Sequence, residues 1–339
     1  MIRNPKHEFI KGVERLVKPT DVVAISFLNG LTRRLPKTVQ KKLMANTAKT
    51  IPHMGFVVEP YSFFLCHKIA NLEMAQSLIS DRYVPVKTKI FDTGTPEYYV
   101  IFGCFTAHTS AFWGSRIEMY VIAENKETGL LSWVIVDYDT NTNSYDPKRG
   151  LIDANSLNTA MTTTPHGEVL VYMERDDATR KLVAHADTTA GVMTRLDERL
   201  WLEGNLSVDY GDAASDGTAD FFSLQFNPDE VEQALDIPLA AAVLEVNTWY
   251  PGLFEPNPNK VVCFPYAQHF VTASFHGETP GTILDKAALI AEVEKLGDLS
   301  GFTGFSAKPI KRQLVIGMTL SALFTTSLLL YVLFDIFGR

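Results

Sequence analysis

Residues 314–334 read LVIGMTLSALFTTSLLLYVLF, 21 residues without a charged side chain. At helical rise such a run reaches about 30 Å, the thickness of a bilayer's hydrocarbon core. The sequence therefore predicts a single-pass membrane helix over residues 313–336. A buried core helix is usually shorter and apolar on one side only, whereas this run is apolar all round. Lys308, Lys311 and Arg312 precede it. Short flanks rich in Lys and Arg stay on the cytoplasmic side, so the body is expected to face the cytoplasm. Gly317, Ser321 and Thr325 fall four apart on one helix face. Small residues at that spacing let two membrane helices approach, which suits a membrane-protein partner or a homo-oligomer.

The first 50 residues are a different kind of segment. They hold 11 Lys and Arg against 3 acids, a net +8 in a chain of −8, so the remainder carries −16. There is no uninterrupted apolar stretch of the kind a signal peptide needs. Phe9, Ile10, Val13, Leu16 and Val17 recur at helical spacing among Lys11, Arg15 and Lys18. Residues 1–50 thus read as a basic amphipathic arm, suited to an anionic lipid leaflet. The alternative is an arm that packs on the body or on a partner. Nucleic acid is not expected as a partner, because the acidic remainder would repel it.

Residues 51–297 read as a β-rich domain, and 298–312 as a linker. Segments 56–66, 83–91, 98–106, 116–124, 131–137, 168–174, 181–187, 200–210, 221–226, 242–249 and 260–264 are rich in Val, Ile, Tyr, Phe or Trp and are separated by turn residues. Short helices are predicted at 71–79, 228–235 and 285–296. The fold class is mostly β (α+β): an antiparallel, closed or sandwich-like sheet system with a few short helices. Closure into a barrel leaves no open edge and often encloses a ligand cavity. Cys66, Cys104 and Cys263 stand far apart among apolar neighbours, as buried thiols do.

The densest candidate for chemistry is 113–139. In one strand Arg116, Glu118 and Tyr120 share a face; in the next, Trp133, Ile135 and Asp137 share a face. Paired, these strands bring Arg116, Glu118, Tyr120, Trp133 and Asp137 together as a candidate pocket. A solvated face with a surface Arg–Glu pair is the competing reading. The histidines show no metal-binding spacing, and no metal or cofactor is expected. The acidic stretch 209–236 lacks the oxygen ligands of a calcium loop. Nucleophile-elbow and phosphate-loop motifs are absent from the sequence.

One longer pattern remains. The strand FVVEPYSFFLC is followed by the short helix NLEMAQSLI, then DRYVPVKTKIF and a long run of sheet. This layout, over about residues 56–276, resembles the acetoacetate decarboxylase-like superfamily. The resemblance implies a β system around an apolar pocket. It also implies a catalytic lysine, paired with a second lysine after an aromatic-Pro step, and a glutamate on an earlier strand. The matching positions here are Tyr145-Asp146-Pro147-Lys148-Arg149-Gly150 and Glu118. Asp146 is an insertion, and Arg149 stands where the second lysine would. Such a lysine attacks a carbonyl as free amine when a neighbouring cation and burial make it acidic; Lys148, Arg149 and Glu118 are the residues so implied.

The sequence thus points first to a membrane-anchored accessory protein whose cytoplasmic β domain binds a lipid or hydrophobic small molecule. The alternatives are a tethered decarboxylase-like enzyme acting on a hydrophobic carboxylate or carbonyl compound, and a scaffold with a filled interior.

Overall fold

A computed structural model describes residues 5–23, 35–36, 38–39, 55–109, 112–126, 129–146, 150–206, 208–210, 224–272 and 308–337. The arm forms α1 (Pro5–Leu16). Then come β1 (Gly55–Val58), β2 (Ser62–Lys68), α2 (Leu72–Ser77), β3 (Tyr83–Pro85), β4 (Lys87–Thr88), β5 (Glu97–Thr109), β6 (Trp113–Asn125) and β7 (Leu131–Thr140). The hairpin β8 (Ser144–Asp146) and β9 (Gly150–Ile152) precedes β10 (Asn158–Thr163), β11 (Glu168–Glu174), β12 (Lys181–Asp187) and β13 (Val192–Arg195). A π turn (Arg199–Glu203) leads to β14 (Val208–Tyr210), and β15 (Leu224–Phe226), β16 (Gln233–Asp236), β17 (Ala242–Asn247), β18 (Lys260–Phe264) and β19 (Gln268–Thr272) follow. The last element is α3 (Lys308–Phe337).

The large sheet is built on β5 and β6, each 13 residues long. Where one strand was expected at 56–66, the structure has two. The chain breaks at Tyr61, whose φ of 68° lies in the left-handed region. β1 and β2 still lie along the same edge of β5, pairing Phe56–Val58 and Phe63–Lys68 with its two halves. The next strand repeats the break: β19 pairs with β1 and β18 with β2. The Tyr61 N–H donates to the Phe264 carbonyl at 2.6 Å beside these breaks. The sheet curls there into a half-barrel.

It does not become the expected closed barrel. The marginal strands β13, β14 and β15 have only 4, 3 and 3 residues, and no pairing joins the two margins among the described residues. Margins this short have few backbone groups to zip together. The concave side is covered instead by the π turn; of the strand predicted from 200 to 210 only Val208–Tyr210 forms, as β14. Two indoles hold the turn: Trp201 Nε1 donates to the Ile90 carbonyl and Trp133 Nε1 to the Leu200 carbonyl, each at 2.9 Å. Gly204 permits the fit, because a Cβ there would lie 2.3 Å from Trp133 Nε1. The helix predicted at 228–235 is one 3₁₀ turn, Pro228–Val231, and then β16, which pairs with β13 and β18. The helix predicted at 71–79 is α2, with Asn71 Oδ1 accepting from the Met74 N–H at 3.0 Å. The helix predicted at 285–296 lies outside the described residues.

The second sheet, β10-β11-β12-β17, covers the convex face of the first. Alternation along β6 divides the two cores. Ile117, Met119, Val121 and Ala123 face the second sheet with Val171, Met173, Leu182 and Ala184. Tyr120 and Ile122 face the concave side with Trp133, Ile135 and Trp201. All three cysteines are buried and free.

The arm packs on the body. Phe9, Val13 and Leu16 are buried against Val57 and Val271, on the outer side of β1 and β19. The helix comes so close that a Cβ on Gly55 would lie 2.8 Å from Leu16 Cβ and 2.9 Å from the Val13 carbonyl. Polar contacts fasten both ends. Lys6 pairs with Asp229, and His269 stands between Glu230 (Nδ1 to Oε1, 3.0 Å) and Glu14 (Nε2 to Oε1, 3.3 Å). Burial alone would lower the imidazole's pKa; the hydrogen bonds and charges of Glu230 and Glu14 outweigh it and hold it raised. In α3, residues Val315–Phe334 are exposed throughout and are long and apolar enough to cross a membrane.

Two outcomes follow from this packing. A histidine raised on folding contributes fully below its unfolded pKa of about 6.5 and loses that contribution as pH rises through the folded value. His269→Leu should therefore depress the thermal unfolding midpoint more at about pH 5.5 than at about pH 9; an equal depression at both would show that the clasp does not depend on charge. Deleting residues 313–339 should release the protein from membranes washed with alkaline carbonate. Release of the full chain by the same wash would remove the membrane-spanning reading.

Candidate functional site

The concave side of the half-barrel is not filled. A cavity of about 150 Å³ remains, lined by Phe56, Val58, Phe64, Phe105, Phe112, Arg116, Glu118, Tyr120, Trp133, Ile135, Trp201, Asn205, Val208, Leu224, Gln268 and Phe270. Half of these sixteen residues are aromatic. Phe56 meets Phe105, Phe112 and Phe270 edge-on at 6.1, 6.0 and 6.2 Å. Trp201 packs on Phe64 at 5.2 Å and on Trp133 at 5.1 Å. Both indole N–H groups donate to backbone carbonyls, so the tryptophans offer the cavity only ring surface.

The floor requires a glycine. Gly103 pairs with Phe64 on one side and Glu118 on the other. A Cβ there would come within 3.0 Å of the Phe64 ring and 3.1 Å of the Tyr120 ring.

One polar chain enters this apolar space. Arg116 and Glu118 are 6% and 8% exposed and form an ion pair, Nε to Oε1, at 2.5 Å. The Tyr120 hydroxyl donates to the other Glu118 oxygen. The Arg116 guanidinium lies 4.0 Å from the centre of the Tyr138 ring. The solvated-face alternative is therefore not what the structure has. Gln268 is spent on the protein, accepting from Ser62 Oγ at 3.3 Å and donating to the Glu230 carbonyl at 3.2 Å. Arginine and glutamate neutralise each other, so the cavity is apolar with one polar edge and no net charge.

Four of the five predicted pocket residues, Arg116, Glu118, Tyr120 and Trp133, line this cavity. Asp137 does not. The β6–β7 register slips so that Tyr120 opposes Ile135 while Met119 opposes Asp137, leaving Val136 as an extra residue. The bulge turns Asp137 to the convex face. There it accepts from the Tyr250 hydroxyl at 2.8 Å and pairs with Arg175 and Arg180. Its neighbour Asp139 is 1% exposed and also pairs with Arg175; burial raises its pKa against the opposing pull of that guanidinium. Tyr138 takes the place expected for Asp137, opposite Glu118.

Lys148 and Arg149 lie outside the described residues, between the paired ends Asp146 and Gly150 of the β8–β9 hairpin. In α3, Gly317 has nothing within 4 Å of an added Cβ, and the Thr325 hydroxyl donates to the Ser321 carbonyl of its own helix at 2.9 Å. Among the described residues no cluster of His, Cys, Asp and Glu could hold a metal ion. A second recess, about 260 Å³, lies at the opposite end of β5, beside Glu97 and Tyr99. Its lysines are already paired: Lys68 with Glu97 and Lys260 with Asp236, each at 3.0 Å.

Phe56, Phe64, Phe105, Phe112, Trp201 and Phe270 were not anticipated. Alternation from Tyr99 through Ile101, Gly103, Phe105 and Ala107 carried a signal for β5. Trp201 carried none, since a π turn has no period of its own to read.

No protein-family model matches the chain, and no curated protein sequence does. Solved structures do. The fold is similar to that of acetoacetate decarboxylases. The enzyme of that name from Legionella pneumophila aligns with 69% of this chain and 93% of its own, at 10% identity and a TM-score of 0.44. A second acetoacetate decarboxylase covers 64% and 84%, at 8% and 0.38. The enduracididine biosynthesis enzyme MppR covers 66% and 86%, at 8% and 0.35. Likeness at this level concerns the course of the chain and says nothing of a substrate.

Glu118→Ala leaves Arg116 buried beside rings. It should destabilise the protein by about 3–5 kcal/mol, where an exposed pair would lose no more than about 1 kcal/mol. Thermal unfolding in detergent separates the two. Gly103→Val should cost about 1–3 kcal/mol through overpacking of Phe64 and Tyr120; a midpoint equal to wild type would show that the floor yields freely.

Proposed function

We propose that this protein is a membrane-anchored binding protein whose half-barrel holds a small, uncharged, largely apolar molecule. The observation that supports it best is the cavity itself: a space for one ring, walled by aromatic side chains, with the Arg116–Glu118–Tyr120 chain at its edge. Native interiors leave few voids larger than a water molecule, so an apolar space of this size is a natural seat for a ligand. Glu118 accepts a hydrogen bond from a ligand hydroxyl, and Arg116 donates to a carbonyl; the rings supply the burial. The body faces the cytoplasm, as the Lys308, Lys311 and Arg312 flank suggests. An enzyme acting through Lys148 is the alternative that a direct test must address.

The test uses 4-bromophenol, a water-soluble single ring with a heavy-atom quencher. Titrated into the detergent-solubilised chain, it should quench the fluorescence of Trp133 and Trp201 saturably, and Gly103→Val should abolish the saturable part. Linear quenching, unchanged in Gly103→Val, would show that the cavity takes no ligand. Borohydride reduction in the presence of acetoacetate should leave the mass of the chain unchanged; a stable adduct at Lys148 would favour the enzyme.

A further inference from the structure

The cavity and the membrane anchor meet at one end of the half-barrel. Of the residues lining the cavity, Phe56, Phe64, Asn205 and Leu224 keep partial exposure; three of them, Phe56, Asn205 and Leu224, cluster at one end, which we take as its mouth. They lie together: Phe56 and Leu224 stand on β1 and β15, which flank β19, and a 3₁₀ turn, Gly204–Leu206, which bears Asn205, packs on β15. This is the end at which α1 finishes. Leu16 sits on Gly55, one residue before Phe56. The chain continues to Thr20, whose carbonyl accepts from Lys311 Nζ at 3.3 Å, and Lys311 lies in the first turn of α3. The opening, the end of the arm and the foot of the membrane helix are therefore neighbours. The outward side of the arm is basic: Lys11, Arg15 and Lys18 are exposed, and Lys311 and Arg312 extend the same charge into α3. Basic side chains beside a membrane helix are drawn to anionic headgroups.

We infer that the cavity opens against an anionic bilayer and is filled from it. The arm and the foot of α3 hold the opening at the headgroup level, so the occupant is a lipid-soluble molecule that inserts a ring or short apolar end past Phe56 and Leu224. This rests on the binding function proposed above, and names the source and class of the ligand. Glu14 and Glu8 are the acids on the same helix; Glu14 is held by His269 and Glu8 by Lys11, which leaves Arg15 and Lys18 to face lipid.

The full chain reconstituted in phosphatidylcholine vesicles containing phosphatidylserine provides the test. The probe is a bromophenol carrying an octyl chain, which stays in the bilayer. It should quench body tryptophans, and excess unbrominated 4-octylphenol should relieve the quenching by competition for the cavity. The double variant Arg15→Glu, Lys18→Glu should slow this quenching by more than about tenfold, while soluble 4-bromophenol still quenches it as wild type. Omitting phosphatidylserine should act in the same direction. If 4-bromophenol quenches but the bilayer-held probe does not, the inference is overturned and the binding function stands. If neither quenches, the binding function itself fails. Quenching by the bilayer-held probe that 4-octylphenol cannot relieve would reflect mere proximity to lipid, and would also overturn the inference.

Discussion

The large sheet is apolar on both faces, and everything else in the body answers to that fact. A sheet with one wet face needs only one cover; this one needs two. The convex face receives β10–β12, β17 and the N-terminal helix. The concave face is covered by other means. The sheet curls over it, and a single π turn closes what the curl leaves open, anchored by two indoles on backbone carbonyls. A curl of rigid strands and a plug of one turn cannot match each other's shape everywhere. The cavity is the part of the concave core that neither reaches.

The polar groups inside it are arranged against waste. A lone buried charge is very costly, and even a buried pair contributes little net stability, since both ions leave water. Here Arg116 is paired with Glu118 and stacked on Tyr138, and Glu118 is also bonded to Tyr120. The group gives the cavity a fixed orientation more than it gives the fold stability. Every other hydrogen-bonding side chain near it has a partner in the protein: Gln268 bridges Ser62 and Glu230, and Asn205 donates to the Trp201 carbonyl. The space therefore has a single polar edge, the Arg116–Glu118–Tyr120 chain.

Much of this was legible in the residues. Period-two alternation located most strands, and it put Arg116, Glu118, Tyr120 and Trp133 on one side of two paired strands, where they are. The same reasoning misplaced Asp137, because one extra residue at Val136 inverts every side chain after it, and alternation carries no mark of a bulge. The break at Tyr61 was hidden for a related reason: FVVEPYSFFLC has strand composition on both sides of a left-handed residue that is neither Gly nor Asn. The barrel stayed half-open because closure depends on strand length at the margins, and three-residue strands are barely visible as strands at all. For 200–210, apolar composition suggested strand throughout; only Val208–Tyr210 is one, because Trp201 Nε1 and the Leu200 carbonyl are bonded to Ile90 and Trp133 in a π turn instead. The arm's apolar positions were plain, yet nothing in them said whether lipid or β1 would cover them.

Gly55 carries one last consequence. The arm rests on bare backbone there, with Leu16 and Val13 occupying the volume a side chain would fill. One methyl group at this position would force the helix or the strand to move. The seat of the arm is thus set by the backbone of β1 and not by any side chain of it, so the identity of this one residue fixes how closely the N-terminal helix can approach the sheet.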